Sequence, residues 1–164
     1  NNLYSSGTFP LPEPQLDRFL LSITMTMPDV ETQTTLLHLH AQRAKNPVPL
    51  APILHADDVR AMQEEVSQVQ VNERVCRYIA NVCEEIRKQE ASRGGPSARA
   101  SIAIMRAAQA MAYLTGSSAV HPDHVKAVAG PVMSHRIPSR DARQNQSLDP
   151  DQLIAHVLQQ LPVP

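Results

Sequence analysis

The segment that decides the fold is RGGPSARASIAIMRAAQAMAYL, residues 93–114. It runs from a glycine-rich loop through a helix cap at Ser97 into an apolar, alanine-rich stretch, which predicts a helix over 98–115. Arg99 falls in the first turn of this helix, where the helix dipole disfavours a cation by roughly 0.3–1 kcal/mol. Either Arg99 turns back to Glu90 or to solvent, or it helps to bind an anion such as phosphate.

The composition favours packed helices. The chain has 164 residues, of which 42% are hydrophobic, only 3% are aromatic and none is Trp. A core of aliphatic side chains and alanine suits a helical bundle better than a β-sandwich. The net charge of −1 gives no basic field for nonspecific nucleic-acid binding. No apolar run approaches the ~18 residues of a membrane span, so no transmembrane helix is expected.

Most of the remaining chain has apolar residues at helical spacing. FLLSITMTM, residues 19–27, alternates and is rich in β-branched residues, which predicts one strand ended by Pro28. Gly130 and Pro131 are expected to break the helix that contains them into two pieces. Polar or proline-rich connectors are expected at 46–52 and 138–147. The further predicted helices are 13–19, 30–44, 56–69, 72–90, 121–137 and 149–161.

Cys76 and Cys83 lie seven residues apart on one predicted helix. At ~1.5 Å of rise per residue they are roughly 10 Å apart, too far for a disulfide. They are interpreted as buried free thiols, typical of a reducing compartment.

The usual catalytic and binding motifs are missing. The histidines at 38 and 40 point away from each other on a helix, and those at 121 and 124 straddle a helix cap, so no metal site is predicted. None of the five glycines precedes Lys-Ser or Lys-Thr, which excludes a phosphate-binding P-loop in this chain. Arg99 and Arg18 therefore remain as candidates. Arg18 either pairs with a nearby carboxylate such as Glu13 or projects from a short helix towards a partner.

Two long motifs in the same order resemble the MoxR family of AAA+ ATPases. GTFPLPEPQLDRFLL, residues 7–21, resembles the family signature G-T-[YF]-P-L-P-E-A-Q-L-D-R-F. The segment beginning GPSARAS at residue 95 and ending VMSHRI at 137 resembles the later signature G-[AP]-S-P-R-A…P-V-L-x-H-R-[IL]. The resemblance extends over residues 1–164.

The resemblance implies three site residues. Asn1 aligns with the sensor asparagine that orients water and the γ-phosphate, Arg18 with the arginine finger, and Arg99 with the second sensor, which also contacts nucleotide. In relatives the lid arginine serves its own subunit or a neighbour. Two departures are Asn2 and Ala98, each standing where the family usually has proline.

The resemblance also implies an architecture. The fold class expected is mainly α: a multi-helix bundle, the AAA+ lid domain, preceded by a short remnant of an αβα core with one strand. Residues 1–28 would be the core remnant and 29–164 the lid. The P-loop and the Mg²⁺-binding acidic motif would lie upstream, so this fragment alone is expected to be inactive.

The function that the resemblance implies is ATP hydrolysis, with ATP and Mg²⁺, by a cytoplasmic ring, a hexamer. The ring would remodel a client protein as a chaperone, including in metal-cofactor insertion, with a von Willebrand factor A domain protein as partner. No nucleic-acid partner is expected. The alternative is a stand-alone helical protein-interaction or DNA-binding module, which a basic recognition helix would support.

Overall fold

The structure, a computed structural model, describes residues 11–43, 50–89, 95–137 and 149–164. The regular elements in these ranges are helices, which confirms the predicted mainly α fold. Of the predicted connectors, 138–147 lies outside the described residues and 46–52 lies mostly outside them. A 3₁₀ turn, Ser134–Arg136, follows the sixth helix. The helices are α1 (Glu13–Leu16), α2 (Val30–Arg43), α3 (Ala56–Gln68), α4 (Glu73–Lys88), α5 (Ala98–Leu114), α6 (Pro122–Met133) and α7 (Pro150–Gln160).

The chain forms two compact units, and the larger contains residues 1–22 and 64–164. In it α5 packs against α4 and α6, and α7 packs against the same two helices. The buried face of α5 is mostly alanine, and such short side chains let neighbouring helices approach closely. The core side chains on these four helices include Val75, Ile79, Val82, Ile86, Ala103, Ile104, Ala108, Val125, Ala129, Val132, Met133, Leu153, Ile154 and Val157.

Local signals set the helix ends in this unit. The Asn72 side chain accepts a hydrogen bond from the Val75 N–H at 2.9 Å, as expected of a cap. Asp149 caps α7 by accepting from the Asp151 N–H at 3.0 Å. Gly116, at φ +73°, ends α5 in a conformation that glycine adopts without strain. Helix boundaries were therefore predictable wherever a capping residue precedes an apolar stripe.

The predicted break at Gly130–Pro131 is wrong, because α6 continues through Pro131 to Met133. Pro131 lacks an N–H, which leaves the Ala127 carbonyl without its helical partner. Both Ala127 and Pro131 are exposed, so water can satisfy that carbonyl. Buried residues on both sides of the proline, Val128 and Val132, belong to the same core and hold the helix together.

The strand predicted at 19–27 is not formed. A strand needs a neighbour for its N–H and C=O groups, and no described segment lies beside this one as a strand. Its apolar side chains are exposed to solvent: Ile23 is 72%, Met25 87% and Met27 86% exposed. The nearest thing to sheet pairing in the described ranges is one parallel bridge between Gln70 and Ala119, which the sequence pattern did not indicate.

The smaller unit contains residues 23–63, and none of its described residues is buried. Its helix α2 begins after Asp29, whose carboxylate accepts from the Thr32 N–H at 2.7 Å. The apolar residues Val30, Leu36 and Leu37 are 54–75% exposed.

One of the two cysteine predictions is wrong. Both thiols are free, but only Cys83 is buried, and Cys76 is exposed. Ser101 of α5 covers Cys83, donating to its sulfur at 3.3 Å. Burial raises the pKa of the Cys83 thiol. Cys76 lies two turns earlier on α4 and is exposed.

Gly95 is expected to tolerate no side chain. It adopts φ +60°, and a Cβ there would lie 2.7 Å from Arg87 Cγ and 2.9 Å from Arg87 Cα. Gly95→Ala should therefore lower the free energy of unfolding by about 2–4 kcal/mol, through backbone strain plus a clash. Gly116→Ala is the matched control, since Gly116 also has positive φ but nothing lies within 4 Å. It should cost only about 1–2 kcal/mol. Equal losses in urea denaturation would contradict the packing argument.

Candidate functional site

The start of α5 places a guanidinium beside a helix N-terminus. The Ser97 hydroxyl accepts a hydrogen bond from the Arg99 backbone N–H at 3.2 Å, which confirms the predicted cap. The Arg99 side chain is 58% exposed. Backbone N–H groups in the first turn of a helix have no helical acceptors, and they favour anions together with the dipole. Arg99 adds a bidentate donor to that site.

Asp17 and Arg18 lie in the turn that follows α1. The Arg18 N–H donates to the Gln15 carbonyl at 3.4 Å, and the Phe19 N–H donates to the Leu16 carbonyl at 3.1 Å. Arg18 is exposed, and its side chain has no hydrogen-bond or ion-pair partner in the ranges that the structure describes. Its guanidinium is therefore available to an external anion.

Asp17 connects this turn to α5. Its carboxylate accepts from Arg99 Nη1 at 3.2 Å and from Arg136 Nε at 3.2 Å. The Ser97 hydroxyl lies 3.2 Å from each carboxylate oxygen. The Asp17 side chain is only 24% exposed, and it puts an anion at the N-terminus of α5. This carboxylate offsets the unfavourable position of Arg99 and occupies a site suited to a phosphate oxygen.

The buried side chain of Arg136 holds the turn after α1 through hydrogen bonds. Its side chain is 2% exposed, and besides the Asp17 carboxylate it donates to four backbone carbonyls. Nη2 donates to Asp17 O at 3.2 Å and Phe19 O at 2.5 Å. Nη1 donates to Leu20 O at 3.3 Å and to Val132 O. Burial lowers the pKa of Arg136, and the Asp17 carboxylate opposes that shift. A buried guanidinium is tolerated because its donors all have acceptors.

Two further contacts fix residues 19–22 to the end of α6. His135 Nε2 lies 3.2 Å from Phe19 O, and the Ser22 N–H donates to Pro131 O at 2.8 Å. Burial lowers the pKa of His135, and nearby Arg136 acts in the same direction. The Phe19 carbonyl and the Asp17 carboxylate oppose that shift.

We expect His135 to make stability fall on acidification. Its folded-state pKa lies below the ordinary 6.5, so the unfolded state takes up the proton first. The stability is therefore fully present above about pH 6.5 and is lost as the pH falls towards the lowered pKa. His135→Gln should flatten the change in Tm between about pH 7.5 and 5.5. The control is His156→Gln, at an exposed position of α7, which should keep the wild-type slope. Equal slopes for wild type and His135→Gln would contradict this assignment.

The structure brings two of the three predicted site residues to one place. Asp17 pairs with Arg99 and directly precedes Arg18 in the chain. Asn1 lies outside the described residues. Glu90, proposed as a partner of Arg99, also lies outside them. Sequence reasoning assigned no role to Asp17 or Arg136. The only signal for Arg136 was its place in the SHRI end of the second motif.

Other candidate sites have structural explanations. His124 Nδ1 accepts from the His121 N–H at 3.0 Å, and its Nε2 lies 3.3 Å from the Thr115 hydroxyl, so this pair serves as a cap of α6. Across the four described ranges, no three His, Cys, Asp or Glu side chains are placed to hold a metal ion. No helix there is long and apolar enough to cross a membrane.

The comparisons with known proteins agree with this fold. Residues 84–157 match the family described as AAA lid domain. A crystal structure of a proposed ATPase from Cytophaga hutchinsonii superposes on all of this chain, with a TM-score of 0.83 and 28% sequence identity. The match covers 52% of that protein. The helical fold and these two matches define a lid domain of the AAA+ ATPase class.

Three curated relatives narrow the class. Chaperone MoxR1 of Mycobacterium tuberculosis is 28% identical over the whole chain, and Protein MoxR of Paracoccus denitrificans is 30% identical over 84% of it. The uncharacterized protein YeaC of Bacillus subtilis is 30% identical over the whole chain. The matches cover 45%, 46% and 51% of these proteins, so the chain spans about half their length. The chain belongs to the MoxR family of AAA+ ATPases.

Proposed function

We propose that this chain is the C-terminal part of an ATPase whose full-length form hydrolyses ATP in a ring, a hexamer, to remodel client proteins. In this proposal residues 1–28 are the end of the ATPase core and residues 29–164 are the lid. The observation that supports it most directly is the arrangement around Asp17. One arginine stands free in the following position, and another stands at a helix N-terminus, bound to a carboxylate where a phosphate would fit.

The Asp17 carboxylate supports the fit of a phosphate group. It is bound by the Ser97 hydroxyl and the Arg99 guanidinium, both donors that phosphate oxygens also accept from. In the transition state of ATP hydrolysis, negative charge is spread over the equatorial oxygens of the transferred phosphoryl group and builds up on the ADP leaving group. Arg99 would stabilise that charge as the second sensor, and Arg18 as the arginine finger. Asn1 would act as the first sensor. The Mg²⁺ ion and the P-loop would belong to upstream residues.

Arg18 suits a role towards another subunit. Its side chain is exposed, whereas the backbone around it is held by Arg136. A fixed backbone with a free guanidinium is what a residue needs to reach a neighbouring nucleotide in a defined position. The open apolar side chains of 19–27 support packing against upstream residues of the core, where a sheet would supply the missing strand partners.

The proposed cellular role follows the family. One relative is named a chaperone, which supports client remodelling. Metal-cofactor insertion, a von Willebrand factor A domain partner and a cytoplasmic location are proposed on the family resemblance. Family membership favours the ATPase over the alternative of a stand-alone helical interaction or DNA-binding module.

The experiment that tests this proposal measures ATP hydrolysis by the full-length protein and by residues 1–164 with Mg²⁺. The full-length protein should hydrolyse ATP and the fragment should not. Arg99→Ala in the full-length protein should lower both ATP affinity and turnover, since it removes a phosphate contact. Hydrolysis by the purified fragment, or a full-length protein without Mg²⁺-dependent ATPase activity, would overturn the proposal.

A further inference from the structure

We propose that Arg136 is the positioning residue for Arg18. It holds the backbone on both sides of Arg18 while the Arg18 side chain stays free. The inference rests on the proposed function, since it assigns Arg136 to the same ATPase site. Arg136 would not touch ATP and acts only through the turn that carries Arg18.

The hydrogen bonds of Arg136 surround one position in the chain. Its guanidinium binds the carbonyls of Asp17 and Phe19, which directly flank Arg18, and that of Leu20, one residue further along. The same group binds Val132 O, in the last turn of α6. Arg136 therefore ties the turn after α1 to α6 through both terminal nitrogens. Holding residues 17, 19 and 20 sets the direction in which the Cα–Cβ bond of Arg18 points.

The residues that precede and follow Arg136 in the chain are packed into the core. Val132 and Met133 precede it with 0% exposure, and Ile137 follows with 5%. The contacts from His135 to Phe19 O and from Ser22 to Pro131 O hold the same segment at two more points. The side chain of an arginine on a free, exposed loop can take many orientations. Here the backbone of the turn is fixed to the core, which restricts the orientations open to Arg18.

The chemistry of this position requires arginine. The guanidinium donates to five acceptor atoms through Nε, Nη1 and Nη2. Lysine presents three donors from one atom and cannot span these acceptors together. Burying a charge at 2% exposure costs free energy, so an apolar side chain would serve better if packing were its only role.

Asp17 extends the arrangement to Arg99. Arg136 Nε binds Oδ1, and Arg99 Nη1 binds Oδ2, so each arginine has its own carboxylate oxygen. Arg99 can leave Oδ2 for a phosphate while Asp17 remains bound to Arg136. The turn that carries Arg18 thus keeps its position when Arg99 engages nucleotide.

The test is a double-mutant cycle in the full-length protein with Arg18→Ala, Arg136→Lys and the combination. Arg136→Lys should lower kcat for ATP hydrolysis about 10- to 100-fold, because displacing a catalytic group by about 1 Å has an effect of that size. KM should stay within about threefold. In the Arg18→Ala background, Arg136→Lys should cause no further loss, since the residue acts only through Arg18. Arg106→Lys, at an exposed position of α5, is the control and should leave kcat unchanged.

The outcomes separate the two proposals. If Arg18→Ala leaves kcat unchanged, the proposed role of Arg18 fails, and the positioning role fails with it. If Arg18→Ala lowers kcat but Arg136→Lys does not, only the positioning role fails. Losses that multiply in the double variant also overturn it, because they show an effect independent of Arg18. Should Arg136→Lys not fold, Arg136→Gln replaces it in the cycle, with a loss in kcat expected only when Arg18 is present.

Discussion

Replacing Arg18 by alanine in the full-length protein is expected to lower kcat for ATP hydrolysis by about 100- to 1,000-fold, the size of effect seen when one donor to transition-state charge is removed. ATP binding should change by less than about threefold, because a contact made only in the transition state contributes little to the ground state. Arg18 is exposed, so the substitution should leave Tm unchanged.

Steady-state kinetics and nucleotide binding measured on the same preparation check this prediction. Arg106→Ala is the matched control, since Arg106 is an exposed arginine on α5, outside the group around Asp17. Normal turnover in Arg18→Ala would contradict the arginine-finger role. A loss of ATP binding equal to the loss of turnover would instead place Arg18 in substrate binding.

Replacing Asp17 by alanine is expected to lower the free energy of unfolding by about 2–3 kcal/mol. Removing one partner of a buried ion pair costs about 3–5 kcal/mol, and Asp17 is partly exposed, so the expected loss lies at or just below the lower end of that range. The substitution leaves Arg136, at 2% exposure, without its carboxylate, and removes the anion that offsets Arg99. Two guanidiniums then face each other without a charge between them.

Urea denaturation of Asp17→Ala measures this loss, with Glu73→Ala as the control. Glu73 pairs with Arg77 at 2.9 Å, closer than the 3.2 Å of the Asp17 pairs, but both side chains are more than 70% exposed. Exposed pairs contribute little, so the control should lose less than about 1 kcal/mol. A loss in Asp17→Ala no larger than that of Glu73→Ala would show that the bridge between the turn and α5 does not stabilise the protein.

The sequence was most informative where local signals act. Helices α4, α5 and α7 begin after Asn72, Ser97 and Asp149, because a capping side chain and an apolar stripe follow one another within a few residues. The strand at 19–27 and the break at Pro131 were predicted wrongly because both depend on distant parts of the chain. A strand needs partners that these described residues lack, and a helix with an internal proline survives when its core contacts continue.

The residues of the site likewise divide into those that the sequence predicted and those that it did not. Arg18 and Arg99 were predicted because the motifs around them resemble a known family. Asp17 and Arg136 were not, since their contact joins positions 119 residues apart, and no local pattern distinguishes a buried arginine from a surface one. The contact between Asp17 and Arg136 becomes apparent only in the folded structure, where the end of α6 lies beside the turn after α1.

If Arg18 acts on the nucleotide of a neighbouring subunit, as proposed, mixing two inactive full-length variants should restore ATP hydrolysis. One is Arg18→Ala, and the other is a variant whose upstream nucleotide-binding loop is disabled but whose Arg18 is intact. In mixed rings, an intact nucleotide site meets an intact Arg18 at some interfaces. ATP hydrolysis by the mixture should rise well above the sum of the two separate activities. Hydrolysis that stays at that sum at every mixing ratio would contradict this role of Arg18.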